Sequence, residues 1–376
     1  MRAVIVMNVK LDNFLLFRKF EINMAYPKKI VGSGIPEEHL KDYPNFRYKK
    51  LITIMGANAT GKTAFGKILM GAFNFITRKE SNAITGLIDD KTREASFEID
   101  FVFPADRKLV RVQCIFDALS DPESGYSTKD IHASVWNQRI LAYDSYEKCA
   151  GRINEDEKTT GTYMEVLETV PALTWHFEYP FATDEKRRFI EPASRTMYTQ
   201  TLKETLQTLD PRITDVTIVP ENRDAYNIIY ENLVVMINKG EPIDKGVLSS
   251  GTVEGIGLAD MITSMRMRDI DFFYCDEKFS HVHSDAEKAY LSVMIELLGY
   301  DRQLFFTTHN LDIAEMNIPY HSFAFMKRND NDDGHISVTY ASEFLKKNTE
   351  SLKNAIENDL FTASPDVEGI LRLAGG

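Results

Sequence analysis

The sequence predicts an α/β fold: a mixed sheet with an antiparallel β part, an inserted, partly helical lobe, and no long coiled coil. Three observations carry this expectation. Lys50 to Met55 (KLITIM) is an apolar run of buried-strand length, followed by a glycine loop and then by AFGKILMGAFNFI, whose apolar residues recur at helical spacing. Phe97, Ile99, Phe101 and Phe103 alternate against Glu98 and Asp100, and alternation resumes at Val110, Val112, Cys114 and Phe116 after a turn at Pro104 to Lys108. That is an antiparallel hairpin with one buried face. Farther on, Phe272 to Cys275 and Leu304 to Phe306 are apolar runs of strand length that end in polar residues.

The remaining elements follow in chain order. The N-terminal segment reads as a first strand and turn, closing in the aromatic-basic cluster Asn13-Phe14-Leu15-Leu16-Phe17-Arg18-Lys19-Phe20. From 144 to 210 the chain is charge-rich and irregular, with Pro171, Pro180 and Pro192, and is expected to form the inserted lobe. Leu202, Leu206 and Leu209 mark a helix there, stopped by Asp210-Pro211. Ile256 to Met267 has helical periodicity. Eight prolines between Thr63 and Leu248, with no sustained heptad, exclude a long coiled-coil arm. No internal repeat stands out. The expected division is 1–143 and 211–376 as two parts of one domain around the 144–210 lobe.

Composition narrows the function classes. The 376 residues are 43% hydrophobic, ordinary for a globular chain. The longest apolar stretches are far too short to cross a bilayer, and the start MRAVIVMNVKLDNF lacks a secretory leader pattern. Cys114, Cys149 and Cys275 cannot all pair and show no metal spacing, so reduced thiols in a cytoplasmic protein are expected. A net charge of −12 argues against broad affinity for nucleic acid. Local basic pairs (Arg187-Arg188, Arg266 with Arg268, Lys346-Lys347) leave DNA open as a partner, although two charges make a weak field and read first as solvated surface.

The chemistry begins at Gly56-Ala57-Asn58-Ala59-Thr60-Gly61-Lys62-Thr63, which fits G-x-x-x-x-G-K-[ST] at every position. Glycines let such a backbone curl so that successive N–H groups point at phosphate oxygens, and the following helix adds its positive end. Lys62 would reach the β- and γ-phosphates and the Thr63 hydroxyl would ligate Mg²⁺. Strand, loop and helix stand in the required order, so a nucleotide, ATP with Mg²⁺, is the expected cofactor.

Three later segments are weaker alone. Leu248-Ser249-Ser250-Gly251-Thr252 opens a helix and could bind an anion, though Ser-Ser-Gly is also a common cap. Asp271 to Glu277 is a strand ending in two carboxylates: Asp276 could hold Mg²⁺ and Glu277 could act as general base, or both could be solvated ends. Leu304 to Asn310 is a strand ending in His309, which at the C-terminal edge of an open α/β sheet faces the ligand crevice. His281 and His283, with Asp285 nearby, would share a face if they lay on a strand, but further metal ligands are not evident.

Together, in this order, these segments resemble the ABC-type ATPases, specifically over Lys50 to Thr63 and Gly246 to Asn310. The resemblance implies an ATPase head that dimerises head to tail. ATP on one copy's phosphate loop would be capped by Ser249, Ser250 and Gly251 of the other, Glu277 would activate water, and His309 would sense the γ-phosphate. Binding would close the dimer and hydrolysis open it. The sequence departs from transporter subunits in its LSSGT signature and in Lys278 to Ser284 after the Asp-Glu pair. The glutamine expected of the family is either Gln113 or Gln138.

Asn13-Phe14 resembles the NF-x-x-F start of the Rad50, RecF and SMC branch, and the armless chain is most similar to compact bacterial AAA15, OLD-like and PARIS-type ATPases of phage defence. THNLDIAEMN and SLKNAIENDLF resemble that group too. This implies a homodimer or higher homo-oligomer, no membrane, and a separate effector protein such as a Toprim or RloB-like nuclease, since no nuclease pattern appears here. The alternative is an SMC/RecF-like repair ATPase that clamps DNA; a transporter subunit is disfavoured by the N-terminal motif.

Overall fold

Strands with alternating burial and strands buried on both faces sort into different sheets, as their side-chain periods require. The computed structural model describes residues 3–30, 32–179, 194–222, 224–238, 240–243, 247–329, 335–345, 350–361 and 372–373. They fall into two units, Arg2–Leu173 with Tyr300–Gly376, and Thr174–Gly299.

The larger unit opens with β1 (Ile5–Asp12) and β2 (Phe20–Asn23), then the short pair β3 (His39–Leu40) and β4 (Tyr43–Arg47). β5 (Leu51–Met55) leads through the glycine loop into α1 (Lys62–Arg78), followed by the one-turn α2 (Asn82–Thr85). The predicted hairpin is β6 (Ala95–Phe103) and β7 (Lys108–Phe116); β8 (Ile131–Arg139), α3 (Tyr146–Ala150) and α4 (Tyr163–Glu168) come next. The smaller unit holds β9 (Trp175–Glu178), α5 (Arg195–Leu209), β10 (Ile213–Ile218), β11 (Ala225–Tyr230), β12 (Val234–Asn238), β13 (Glu241–Pro242), α6 (Ser250–Met267), β14 (Phe272–Asp276) and α7 (Ser284–Leu297). The chain then returns to the larger unit with β15 (Gln303–Thr307), β16 (Phe323–Arg328), β17 (Ile336–Tyr340), α8 (Ala341–Phe344) and α9 (Leu352–Glu357).

In the larger unit β2, β1, β6, β7 and β8 form an antiparallel sheet in that order. β5, buried at all five residues, runs parallel between β15 and β16, and β17 pairs antiparallel with β16. α1 fills the space between these two sheets. Phe65 meets Phe305 of β15 at a ring distance of 6.1 Å, whereas Phe73 meets Phe101 of β6 at 5.6 Å. Burying each such ring is worth about 1.5–3 kcal/mol. The Gln303 amide joins the sheets directly: its Oε1 accepts from Val6 N–H at 3.0 Å, and its Nε2 donates to the Val6 and Lys49 carbonyls at 3.0 and 3.1 Å. Val6 lies beyond the pairing of β1 with β2, which stops at Asn8, where the β1–β6 register also shifts.

In the smaller unit β10, β11, β12 and β13 make an antiparallel sheet, and β9 runs parallel to β14. The core gathers Leu202 and Leu206 of α5, Ile256 and Ala259 of α6, and Ile228 and Ile237 of the sheet. α5 approaches α6 closely because residue 255 is glycine: a Cβ there would stand 2.5 Å from Leu209 Cδ1. Among the described residues the longest helix is α6, with 18 residues, and no coiled coil is present. The stretch 144–210 is divided between the units, α3 and α4 going with the larger and β9 and α5 with the smaller. Arg187-Arg188, Lys346-Lys347, Pro180, Pro192 and Gly246 lie outside the described residues. No helix among the described residues is long and apolar enough to cross a membrane. All three cysteines are free and buried.

Candidate functional site

The phosphate loop leaves β5 at Gly56 and enters α1 at Lys62. Gly56 is required by close approach: a Cβ would lie 2.5 Å from the Met326 carbonyl of β16 and 2.7 Å from Thr60 Oγ1. Ala59 (φ 62°) and Gly61 (φ 94°) take left-handed conformations, the alternation that turns successive N–H groups toward one point. Gly61 caps α1 without a side-chain hydrogen bond, which leaves the helix N-terminus to an anion. Asn58 and Ala59 are exposed, and the Thr60 hydroxyl braces the curl by donating to Ala57 O at 2.9 Å. Lys62 is buried, its Nζ donating to Gly56 O at 2.9 Å and Ala57 O at 3.1 Å. The loop is therefore curled around its own ammonium, with Thr63 half-buried at its rim. This donor set fits a nucleotide polyphosphate: converging N–H groups, one cation and a hydroxyl that can ligate Mg²⁺.

The N-terminal aromatic cluster turns out to support this loop. The Phe17 ring lies 3.0 Å from where a Gly61 Cβ would stand and packs on Phe20 (4.7 Å) and Phe65 (6.1 Å). Asn13, left-handed and buried, donates to the carbonyls of Asp90 (2.8 Å) and Glu94 (3.1 Å) and accepts from Asp90 N–H. Phe14 packs instead on Phe97 and Phe116 of the antiparallel sheet. The Asn-Phe-x-x-Phe pattern thus fastens the phosphate loop to that sheet. The periodicity of the segment announced a strand and turn, and nothing in it pointed to Gly61.

His309 lies at the same end of the sheet. Thr307 stands opposite Ile54, and Thr308 N–H donates to Ile54 O at 3.2 Å, so His309 follows the end of β15 where the neighbouring β5 gives way to the phosphate loop. Its imidazole is exposed. Asn310 then caps a 3-10 turn, Leu311–Glu315. Lys353 of α9 bonds Asp312 and Glu315 of that turn at 2.8 and 2.9 Å, tying the two tail segments together.

The smaller unit holds the other candidates. Ser249 is the N-cap of α6, its Oγ accepting from Thr252 N–H at 3.2 Å; Ser249 and Ser250 are exposed. A Cβ on Gly251 would lie 3.2 Å from the His281 carbonyl, and Glu254 Oε1 stands 3.9 Å from His281 Nε2. The signature turn and the turn after β14 are therefore neighbours. Burial keeps the Glu254 carboxyl above its usual range, with His281 and Lys278 pulling the other way. Asp276 ends β14 fully buried, while the half-buried Glu277 is left-handed at φ 45°. Its carbonyl accepts from Ser280 Oγ at 2.7 Å and Ser280 N–H at 3.3 Å.

That left-handed residue corrects one expectation. His281 and His283 do not lie on a strand, because the chain turns at Glu277. His283 is the N-cap of α7, its Nδ1 accepting from Asp285 N–H at 3.2 Å, and both imidazoles are largely exposed. Among the described residues, the cluster whose geometry suits a metal is elsewhere: His176, Glu178 and Asp260 are buried, with ligand atoms all within 4.8 Å of one another. Lys278 Nζ stands 3.3 Å from Glu178, so the cluster already contains a cation. Of the two glutamines, Gln113 is mid-strand in β7, opposite Ser134, and Gln138 is near the end of β8, opposite Leu109.

No protein-family model matches the chain, and no curated protein matches it significantly. Solved structures do. An SMC head bound to the C-winged-helix domain of ScpA is 15% identical, with 94% of this chain and 99% of that chain covered and a TM-score of 0.52. An SMC head domain with an extended coiled coil, bound to the C-terminal domain of ScpA and derived from Pyrococcus furiosus, is 14% identical over 96% and 100% of the chains, with a TM-score of 0.53. At these identities the likeness is one of fold: a mixed α/β head with an antiparallel subdomain.

Proposed function

We propose that the chain is an ABC-type ATP switch: it binds MgATP on the Gly56–Thr63 loop, dimerises around it, and opens on hydrolysis. The observation that carries this reading is the phosphate loop itself, curled about Lys62 at the N-terminus of a helix without a side-chain cap, with His309 just past the end of the neighbouring strand. In this reading Lys62 neutralises the phosphates and Thr63 with Asp276 holds Mg²⁺. Glu277 polarises the attacking water, His309 senses the γ-phosphate, and Ser249, Ser250 and Gly251 cap the nucleotide of a second copy. Bound Mg²⁺ would supply charge neutralisation for phosphoryl transfer.

The test is ATP hydrolysis beside gel filtration. Glu277→Gln should slow turnover about 100-fold or more, the usual scale for losing a general base, and should trap an ATP-dependent dimer. Lys62→Ala should lose ATP binding while staying folded. An undiminished rate in Glu277→Gln would remove that residue from the mechanism.

The cellular role proposed is that of sensor or scaffold in phage defence, controlling a separate effector. Its support is the compact, armless head and the Asn13-Phe14 start, resembling the AAA15 group. An SMC head of this fold has been solved with ScpA bound, which supports a head that works through another protein. Purification of the native complex without any co-purifying protein would count against it. The same fold likeness favours a second reading, a DNA clamp of the SMC kind. ATP-dependent, salt-sensitive duplex binding would select the clamp.

A further inference from the structure

We propose that Lys278 is a positioning residue: its buried ammonium, anchored on Glu178 and the Tyr179 carbonyl, holds Glu277 in the left-handed turn that presents its carboxylate. This rests on the reading of Glu277 as general base.

The geometry runs outward from the strand end. A left-handed conformation costs an L-residue roughly 1–2 kcal/mol and persists only where neighbours enforce it. Here both neighbours of Glu277 are buried, Asp276 fully and Lys278 at 2% exposure. Lys278 Nζ donates to Tyr179 O at 2.7 Å and stands 3.3 Å from Glu178 Oε2. Glu178 Oε1 meets His176 Nε2 at 3.1 Å, and His176 Nδ1 meets Ser264 Oγ of α6 at 3.3 Å. α6 admits this cluster because residue 257 is glycine, where a Cβ would lie 2.3 Å from Glu178 Oε2. The ammonium is thus moored to β9, which the strand pairing holds beside β14, and to the helix that begins with Ser249 to Gly251. A buried ammonium needs its counter-charge, so Glu178 and Lys278 form one device. The device links the signature helix to the general base through fixed contacts.

Wild type and Glu277→Gln are assayed first; no hydrolysis by the former, or full rate in the latter, would sink the ATPase reading itself. Given a working base, Lys278→Met and the neutral pair Lys278→Met/Glu178→Gln are compared for ATP bound per chain and for turnover per bound ATP. The neutral pair removes one buried charge of each sign, so the net charge of the cluster is unchanged and the fold should be kept. ATP affinity should stay within about threefold of wild type while turnover per bound ATP falls about tenfold or more, and Lys278→Arg should recover a large part of the rate. Turnover per bound ATP within about twofold of wild type in the neutral pair would overturn the assignment. So would a stoichiometric transition metal in the purified protein, which would make His176, Glu178 and Asp260 a metal site.

Discussion

Removing the Phe17 ring should weaken ATP binding although the ring offers nothing to a phosphate. Phe17 is fully buried, and its edge lies 3.0 Å from where a Gly61 Cβ would stand. Truncating such a phenylalanine to alanine costs about 3–5 kcal/mol in lost contacts and residual cavity. Phe14 is the matched control: equally buried, in the same segment, with its ring 6.0 Å from Phe116 rather than against the loop. Phe14→Ala and Phe17→Ala should therefore lose similar stability. Only Phe17→Ala frees Gly61, however, and refixing one backbone residue on binding costs about 1–2 kcal/mol. At 1.4 kcal/mol per factor of ten, ATP affinity should drop roughly tenfold in Phe17→Ala and hold within about twofold in Phe14→Ala. Calorimetric titration at low temperature, with folding checked by circular dichroism, reads both. Equal affinities in the two variants would refute the claim that Phe17 braces the loop through its contact with Gly61.

Two further outcomes follow from the geometry. Gly56→Ala should abolish ATP binding, because its Cβ would collide with a backbone carbonyl, Met326 O, that cannot swing away; retained affinity in a nucleotide-binding assay would contradict this. Lys49 is buried, donates to Asn23 O and Ala25 O, and lies over the Tyr340 ring at 3.5 Å; burial lowers its ammonium to about 7. Its folded value lies below the unfolded one, so above pH 7 the unfolded chain holds the extra proton and stability rises with pH until the unfolded lysine titrates. At no more than 1.36 kcal/mol per pH unit, and less near the pH 7 midpoint, wild type should gain on the order of 2 kcal/mol over Lys49→Met between pH 7 and 9. Urea unfolding in a Trp175→Phe background, with Trp136 reporting on the larger unit, measures this; a gap that ignores pH would rule it out.

What the sequence made legible was local. Strand β5, the hairpin of β6 and β7, α1 and the glycine loop announce themselves through period and fixed spacing, because each depends on residues a few positions apart. What it hid depends on distant partners. Phe17 meets Gly61 across 44 positions, and Lys278 meets Glu178 across 100, with no local pattern marking either pair. The left-handed turn at Glu277 was invisible for a different reason: no glycine or asparagine signals it, since the conformation is imposed by buried neighbours rather than preferred by the residue. That is why His281 and His283 read as strand positions. The stretch 144–210 has an irregular pattern of its own, and its packing (α4 on β8 and α1, β9 beside β14) involves residues far away in the chain.

The pairing of β5 with β15 also has a temporal side. Leu51 and its partner Leu304 are about 250 residues apart in the chain. At roughly 5–20 residues per second, synthesis of that interval takes more than about ten seconds. During that time β5 has neither β15 nor β16 to pair with, and Gly56 has no Met326 carbonyl beside it. A chain that stalls or is cut before residue 300 carries the whole phosphate-loop motif and its Phe17 brace, but lacks the strands on both sides of β5. The packing of the loop against β16 is therefore completed only after residue 326 has emerged.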